Sequence, residues 1–150
     1  MDKSVNDFRH KYSIRVRNYE VDSQGIVHNS VYLQYLEIGR IEYRRNLGYN
    51  IKPNGVFDDG LMFVVVNNTI NYLAPAMLDE ELDIYTKISW VKKSSFCFEQ
   101  QIVNKKGIKV CNGSGVLVNL NVENKSPLKI SDKFISEVQN FEKELTIKND

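Results

Sequence analysis

Residues 29–46 read NSVYLQYLEIGRIEYRRN and predict the one long internal helix of this 150-residue chain. Asn29 and Ser30 are residue types that cap helix N-termini, and Gly39 is the only helix-breaking residue within residues 31–46. Around the first half of the helix, apolar side chains point in nearly every direction: Val31, Tyr32, Leu33, Tyr35, Leu36 and Ile38. A helix with this pattern is buried on several sides, so we expect a sheet to wrap around it. Gly39 then permits close contact with the backbone of that sheet.

Four segments after this helix alternate between apolar and polar residues, as the strands of an antiparallel sheet do. They are residues 61–72, 80–90, 95–104 and 108–122. In the second segment, one set of side chains points one way and is predicted to face the core: Leu82, Ile84, Ile88 and Trp90. The intervening set is predicted to face water: Asp83, Lys87 and Ser89.

The two ends of the chain complete an α+β arrangement. Residues 12–22 alternate branched aliphatic residues with arginines, which predicts a strand ending at Asp22. Residues 131–145 carry an apolar stripe and begin at the potential cap Ser131, which predicts a surface helix. Because no linker or repeat interrupts the chain, we expect a single domain over residues 1–150.

The balance of charges excludes some classes of partner. The chain has 20 Lys and Arg against 19 Asp and Glu, so its net charge is +1 and nucleic acid is not an expected partner. The longest aliphatic and aromatic run, residues 61–66, is far shorter than the roughly 20 residues of a membrane span. Residues 1–12 contain no apolar signal core. We therefore expect no membrane insertion and a cytoplasmic protein.

The two cysteines are predicted to be reduced thiols. A hairpin turn at residues 104–107 opposes Asn104 to Gly107, and in that register Cys97 faces Ser114 and not Cys111. The two histidines do not form a familiar zinc-binding spacing with these cysteines, so no metal site is expected. His10 lies in a polar stretch and is expected to be solvated.

Three segments of the sequence, together with three residues of the predicted helix, resemble a known enzyme family. The segment YEVDSQGIVHNSVY at residues 19–32 resembles the signature of hotdog acyl-CoA thioesterases of the 4-hydroxybenzoyl-CoA thioesterase type. The resemblance continues through Glu37, Gly39 and Arg40, through YLAPA at residues 72–76 and through KSSF at residues 93–96. Within this family the chain is most similar to the thioesterases associated with the Tol-Pal system. The resemblance implies a hotdog fold, a long antiparallel sheet around one central helix, and a catalytic carboxylate at Asp22.

Thioester hydrolysis needs a nucleophile or a base, and a group that holds the charge developing on the carbonyl oxygen. Asp22 is the candidate for the first role, as nucleophile or general base, although an aspartate here can also simply cap the turn at Gly25. The amides around His28, Asn29 and Ser30 at the helix start are the candidates for the second role.

Two further titratable residues are open to more than one interpretation. His28 is either catalytic or a polar residue that orients Asp22 or the substrate. Glu37 is the rival carboxylate to Asp22, or else it pairs with Arg40 or Arg44 at helical spacing.

The remaining candidates are expected to bind substrate. Tyr32 either lines an acyl pocket or packs, and Gly25, Phe63, Lys93 and Ser94 complete the predicted binding residues. A group of lysines around the hairpin is a candidate for the coenzyme A phosphates: Lys92, Lys93, Lys105, Lys106 and Lys109. Gly113 and Gly115 on one strand face admit either a helix or a pantetheine arm. No cofactor is expected beyond the coenzyme A of the substrate.

The resemblance also implies partners and alternatives. An acyl-CoA is the expected substrate, with an acyl carrier protein as the other carrier of the acyl group. The expected assembly is a homodimer or homotetramer in which two sheets join edge to edge, so that residues 57–63 serve a neighbouring site. One alternative is a hotdog enoyl-CoA hydratase that uses Asp22 and His28. Another is a non-catalytic protein that binds acyl thioesters.

Overall fold

A computed structural model describes residues 4–149 of the chain. Its elements in chain order are β1 (His10–Arg15), α1 (Asn29–Asn46), β2 (Met62–Tyr72), β3 (Glu81–Val91), β4 (Ser95–Asn104), β5 (Lys109–Leu120), α2 (Asp132–Glu142) and β6 (Thr146–Ile147). The sheet has the order β1-β3-β4-β5-β2, all antiparallel, and β6 adds a short parallel pairing to β3. The sheet wraps around α1, which confirms the α+β class and the hotdog architecture. No helix within the described residues is long and apolar enough to span a membrane.

Three glycines allow α1 to lie close to the sheet. A Cβ atom on Gly39 would lie 2.6 Å from Ile84 Cγ2 and 2.7 Å from Thr86 Oγ1. On β5, a Cβ on Gly113 would lie 3.0 Å from Leu36 Cδ1, and one on Gly115 would overlap the Arg40 guanidinium. The predicted close contact at Gly39 is therefore real, but it is made with side chains of the sheet. The glycines of β5 admit the helix, which was one of their two predicted uses.

The apolar core has two parts along α1. The first half of the helix packs over the start of β3, the end of β4 and the start of β5, where Tyr35, Leu36, Leu82 and Ile84 are almost fully buried. The second half packs with α2 over an aromatic cluster: Tyr43, Phe96, Phe98 and Phe134. The predicted C-terminal helix is confirmed, with Ser131 as its N-cap.

The first strand is shorter than predicted. It ends at Arg15, and a single 3₁₀ turn, Asn18–Glu20, follows before Asp22. The turn is closed locally, because the Arg17 amide donates a hydrogen bond of 2.7 Å to Glu20 Oε1. The alternation of apolar and polar residues does not indicate such a turn. It also does not indicate β6, because that strand has only two residues.

A β-bulge reverses one side chain predicted for the core. The pairing of β3 with β4 shifts between Ile88 and Trp90, after which Trp90 pairs with Cys97 on the outer face. Ile88 and Val91 are both fully buried. Placing Trp90 with the core residues was therefore wrong, because one extra residue in a strand moves every later side chain to the other face.

The outer face of β3 is less exposed to solvent than predicted. Asp83 is only 8% exposed and Lys87 only 7%, although both were expected to face water. Lys87 is covered by the segment before β1: the Phe8 ring packs against Tyr85 and lies 5.8 Å from Lys87 Nζ. Asp83 is paired with Lys105, at 2.9 Å between Oδ1 and Nζ.

Both cysteines are free thiols and buried, as predicted. Their register differs from the prediction, because Cys97 pairs with Val116 and not with Ser114. A β-bulge between Ile102 and Val103 shifts the pairing of β4 with β5. Burial raises the pKa of Cys111 to about 12, so its thiol is protonated at neutral pH.

His10 is buried and not solvated as expected. It is 7% exposed, and its ring lies edge-on to Tyr43 with 5.6 Å between centroids. Burial lowers the pKa of His10, although the nearby Glu42 opposes part of this effect. Burial in the folded protein therefore favours the neutral form of His10.

Stability should fall below pH 6.5 in a way that depends on His10. Because the folded pKa of His10 lies below the unfolded value of about 6.5, the unfolded chain takes up the proton at a higher pH than the folded chain does, and this favours unfolding as the pH falls. The slope from this one group is at most about 1.4 kcal/mol per pH unit. Urea unfolding between pH 7 and pH 5 should show a weaker pH dependence for His10→Gln than for the wild type. Equal slopes in the two proteins would contradict this expectation, and the exposed His28→Gln is the matched control.

Candidate functional site

A tight hairpin connects the 3₁₀ turn to α1. Val21 and Val27 form an antiparallel bridge, and the Asp22 amide donates to the Ile26 carbonyl at 2.9 Å. Gly25 closes the turn with a φ of 75°, a left-handed conformation that glycine adopts without strain. The hairpin carries Asp22 back toward the start of α1.

Asp22 is half-buried, and one of its carboxylate oxygens is fixed. Oδ1 accepts hydrogen bonds from the amides of Gln24 at 2.8 Å and Ile26 at 3.2 Å. Within residues 4–149, Oδ2 has no hydrogen-bond partner. The turn-capping role is therefore present, and it uses only one oxygen. The other remains available for chemistry.

The start of α1 offers two unpaired amides. His28 occupies the N-cap position without a side-chain cap, and its amide already donates to the Glu20 carbonyl at 3.1 Å. The amides of Asn29 and Ser30 have no acceptor among the described residues. Of the three amides predicted for an oxyanion, two are free, and they lie at the positive end of the helix dipole.

The YLAPA segment holds this helix start in place. Tyr72 Oη donates to the Asn29 carbonyl at 3.2 Å, and the Ala76 amide donates to Tyr32 Oη at 3.1 Å. The Val27 amide in turn donates to the Ala76 carbonyl at 2.9 Å. Tyr32 is thus a packed residue that also lines an open groove of about 370 Å³ beside Asn29, Tyr72 and Pro75.

Glu37 does not form the ion pairs considered for it. It is exposed on α1, while Arg44 pairs with Asp59. Arg40 is buried and bonds to neutral amides, with Nε 2.9 Å from Gln100 Oε1. Arg40 and Arg44 do follow Glu37 at helical spacing, but their side chains point into the core and bind partners that are distant in sequence.

A second cavity of about 320 Å³ lies against the C-terminal half of α1. Glu37 and Ile41 stand at its helix side, Phe57 and Phe63 line it, and Phe98 lies at its buried side. Its roof is the connection between α1 and β2, residues 47–61. Phe63 was predicted from the sequence as a binding residue. The cavity itself was not predicted, because residues 47–61 show no apolar periodicity.

The predicted binding residues fall into two groups at opposite ends of the sheet. Asp22 follows the end of β1 that pairs with the start of β3. Lys93 and Ser94 follow the far end of β3, which is 11 residues long and so spans about 33 Å. Phe63 lies with the second group, since it pairs with Asn119, whose amide bonds to the Ser94 carbonyl.

The predicted lysine group is likewise divided. Lys92 and Lys93 are in the β3–β4 turn, whereas Lys105 and Lys106 are in the β4–β5 turn, at the opposite end of β4. Lys105 is also engaged by Asp83. The five lysines therefore do not form one phosphate site in a single chain. The two turns that carry them are close in sequence, but the whole length of β4 separates them in space.

Comparisons with known proteins agree with the motifs. A profile of the thioesterase superfamily matches residues 24–111. The acyl-CoA thioester hydrolase YbgC of Escherichia coli O157:H7 is 31% identical over 114 residues, 76% of this chain and 83% of that protein. The acyl-acyl carrier protein thioesterase ATL2 of Arabidopsis thaliana is 32% identical over 110 residues, 71% of this chain and 57% of that protein.

A solved structure gives the same answer for the fold. A thioesterase from Thermus thermophilus, crystallised with coenzyme A and zinc, is 27% identical with a TM-score of 0.76. The match covers 91% of this chain and 96% of that one. In residues 4–149 of the present chain, no group of three or more His, Cys, Asp or Glu side chains is placed to hold a metal ion. The resemblance to hotdog acyl-CoA thioesterases is confirmed.

Proposed function

The chain belongs to the thioesterase superfamily, and we propose that it hydrolyses acyl-CoA to a free acid and coenzyme A with Asp22 as the catalytic carboxylate. The observation that carries this proposal is the state of the carboxylate. One oxygen of Asp22 is held by two backbone amides and the other is free, in a hairpin that leads directly into the two unpaired amides of α1.

The reaction needs little beyond these groups. The thioester oxygen accepts hydrogen bonds from the amides of Asn29 and Ser30, which stabilise the charge that develops as the carbonyl is attacked. Asp22 Oδ2 either attacks the carbonyl carbon, giving an anhydride that water then hydrolyses, or deprotonates the attacking water. In both routes the thiolate of coenzyme A leaves, and the net reaction consumes one water.

His28 and Asn29 have different roles in this proposal. The contribution of Asn29 is its backbone amide, so its side chain is not needed for the reaction. His28 is exposed beside the helix start, where it orients the substrate or Asp22.

Tyr72→Phe should lower kcat by about three- to tenfold, which is the range of one neutral hydrogen bond. The change removes only the hydroxyl that holds the Asn29 carbonyl, so the donor amides of α1 become less well positioned. KM should stay near the wild-type value, because the hydroxyl is already engaged by the Asn29 carbonyl and the ring is retained. Steady-state thiol release measures both constants, with the exposed Tyr12→Phe on β1 as control. An unchanged kcat would show that the helix start does not depend on Tyr72.

We further propose that the working unit is at least a homodimer joined through β2. This strand is an edge of the sheet, and it exposes Val65 (44%) and Val66 (57%). A long edge strand with exposed apolar residues is an open site for pairing with another copy. A dimer also explains why Lys93 lies so far from Asp22: these residues serve the same substrate from two chains. Val66→Lys should give a monomer by light scattering and lose activity, whereas an active monomer would exclude the shared site.

The test of the function is free thiol release from a panel of acyl-CoAs. Hydrolysis well above the rate without enzyme is expected for at least one acyl group. Formation of 3-hydroxybutyryl-CoA from crotonyl-CoA would instead identify the hydratase alternative. The same panel is then tested with the acyl groups carried on acyl carrier protein. Binding of these thioesters without hydrolysis on either carrier would identify a non-catalytic binding protein.

A further inference from the structure

We propose that Glu20 and Tyr35 form a positioning pair for the catalytic carboxylate. The pair holds the hairpin that carries Asp22, residues 21–27, at a fixed place beside the two unpaired amides of α1. This inference rests on the proposed function and adds two residues to it. Neither residue takes part in the chemical step; both fix the distance between the carboxylate and the amides that stabilise the developing charge.

Glu20 links the segment before Asp22 to α1 at two places. Its side-chain Oε1 accepts hydrogen bonds from the Arg17 amide at 2.7 Å and from Tyr35 Oη at 3.0 Å. Its backbone carbonyl accepts the amide of His28, the residue before α1, at 3.1 Å. One residue therefore ties the end of the 3₁₀ turn both to the helix start and to the second turn of the helix.

These links determine the geometry of the site. Asp22 follows Glu20 by two residues along one side of the hairpin. On the other side, Asn29 follows His28 directly. A movement of Glu20 relative to α1 therefore changes the separation between the carboxylate and the donor amides. A misplacement of about 1 Å that originates away from the reacting atoms can lower a rate by roughly a hundredfold.

Tyr35 is a rigid anchor for this link. It is 1% exposed, and its ring lies edge-on to Tyr32 with 6.1 Å between centroids. A buried phenol hydroxyl needs a hydrogen-bond partner, and Glu20 supplies it. Burial and the hydrogen bond to Glu20 raise the pKa of Tyr35 well above its usual range, so the hydroxyl stays protonated and donates. Because this side chain is enclosed, it acts on the reaction through the hairpin and not by touching the substrate.

Two tyrosines of α1 provide a matched test. Tyr35→Phe keeps the ring in the core and removes only the donor, so kcat should fall about tenfold while KM stays within about twofold of the wild-type value. Tyr43 lies on the same helix, and its hydroxyl also donates to a glutamate, Glu142. It is about 21 Å along α1 from Asn29, so Tyr43→Phe should lower the Tm and leave kcat unchanged.

The outcomes of this comparison are distinct. A wild-type kcat in Tyr35→Phe would overturn the inference. So would equal losses of kcat in Tyr35→Phe and Tyr43→Phe, because the loss would then follow from general destabilisation of α1 and not from the position of the hairpin.

Two variants of Glu20 separate positioning from a direct role of its charge. Glu20→Gln keeps an oxygen that can accept both hydrogen bonds and should retain kcat within about threefold of the wild-type value. Glu20→Ala removes both bonds and should lower kcat about ten- to a hundredfold. Adding Tyr35→Phe to Glu20→Ala should cause no further loss, because the two residues act as a unit. A loss in Glu20→Gln as large as that in Glu20→Ala would overturn the inference, since the charge itself would then be required.

The proposed function and this inference fail in different ways. If the wild type hydrolyses no acyl-CoA, or if Asp22→Asn is fully active, the proposed function fails. If Asp22→Asn is strongly impaired but Glu20→Ala and Tyr35→Phe keep the wild-type kcat, the function stands and the positioning pair is wrong. The inference predicts a reduced kcat in all three variants, measured as thiol release from the same acyl-CoA with the fold of each protein verified by circular dichroism.

Discussion

Asp59→Ala should lower the free energy of unfolding by about 3 to 5 kcal/mol, the usual cost of removing one partner of a buried ion pair. Arg44 is buried in the second half of the core, and burial lowers its pKa while Asp59 opposes that effect. Without Asp59 the guanidinium stays buried without a counter-charge. The rings of Phe57 and Phe63 lie over it and compensate in part, which favours the lower end of the range. Thermal unfolding should show a decrease in Tm of roughly 10 °C.

The neighbouring Asp58 provides the control for this prediction. Asp58→Ala removes an exposed carboxylate from the same connection, which accepts two long hydrogen bonds from Asn50 at 3.3 and 3.4 Å, and should lower stability by no more than about 1 kcal/mol. Arg44→Met together with Asp59→Ala removes both charges and should recover part of the lost stability, because no unpaired charge remains buried. Similar losses for Asp58→Ala and Asp59→Ala would mean that the connection, and not the ion pair, determines stability.

The architecture was predictable because it depends on long periodic patterns. The apolar surface of residues 31–38 required a wrapping sheet, and four alternating segments supplied it. Gly39 indicated the contact between helix and sheet, and for Gly113 and Gly115 the helix was one of two predicted neighbours. Each of these signals extends over many residues or depends on the absence of a side chain, so a local irregularity does not change it.

The failures of prediction come from single residues and from contacts distant in sequence. A bulge beside Trp90 and another beside Val103 reversed or shifted side chains that simple alternation placed elsewhere. His10 was assigned to solvent because its neighbours are polar, although its strand faces Tyr43. No local pattern indicates these events, because each depends on what the opposite strand or helix presents.

The site was predictable only in part. The hairpin with Asp22 and the helix start are contiguous in sequence, so a motif could identify them together. The cavity was not, because it combines α1 with the connection that follows it and with three strands. The separation of Lys93 from Asp22 follows from the length of β3, which the sequence also contained: Lys93 follows one end of this strand, and Asp22 lies toward the other end.

Asp22→Asn should reduce kcat for the best acyl-CoA substrate by a factor on the order of 10³. The amide oxygen of asparagine still accepts the bonds from Gln24 and Ile26, so the hairpin and the fold should persist. What is lost is the free carboxylate oxygen, and an amide is neither a nucleophile nor a base at neutral pH. The Tm should therefore remain within a few degrees of the wild-type value.

The most direct test of the account is the kcat of thiol release for purified wild type and Asp22→Asn, measured on the same acyl-CoA with the fold verified by circular dichroism. Asp7→Asn, an exposed aspartate in the N-terminal 3₁₀ turn, controls for the loss of one charge. The account predicts full activity in the wild type and in Asp7→Asn, and a loss of about a thousandfold in Asp22→Asn. A folded Asp22→Asn protein with wild-type kcat would contradict it, because no reaction at this site would then depend on the Asp22 carboxylate.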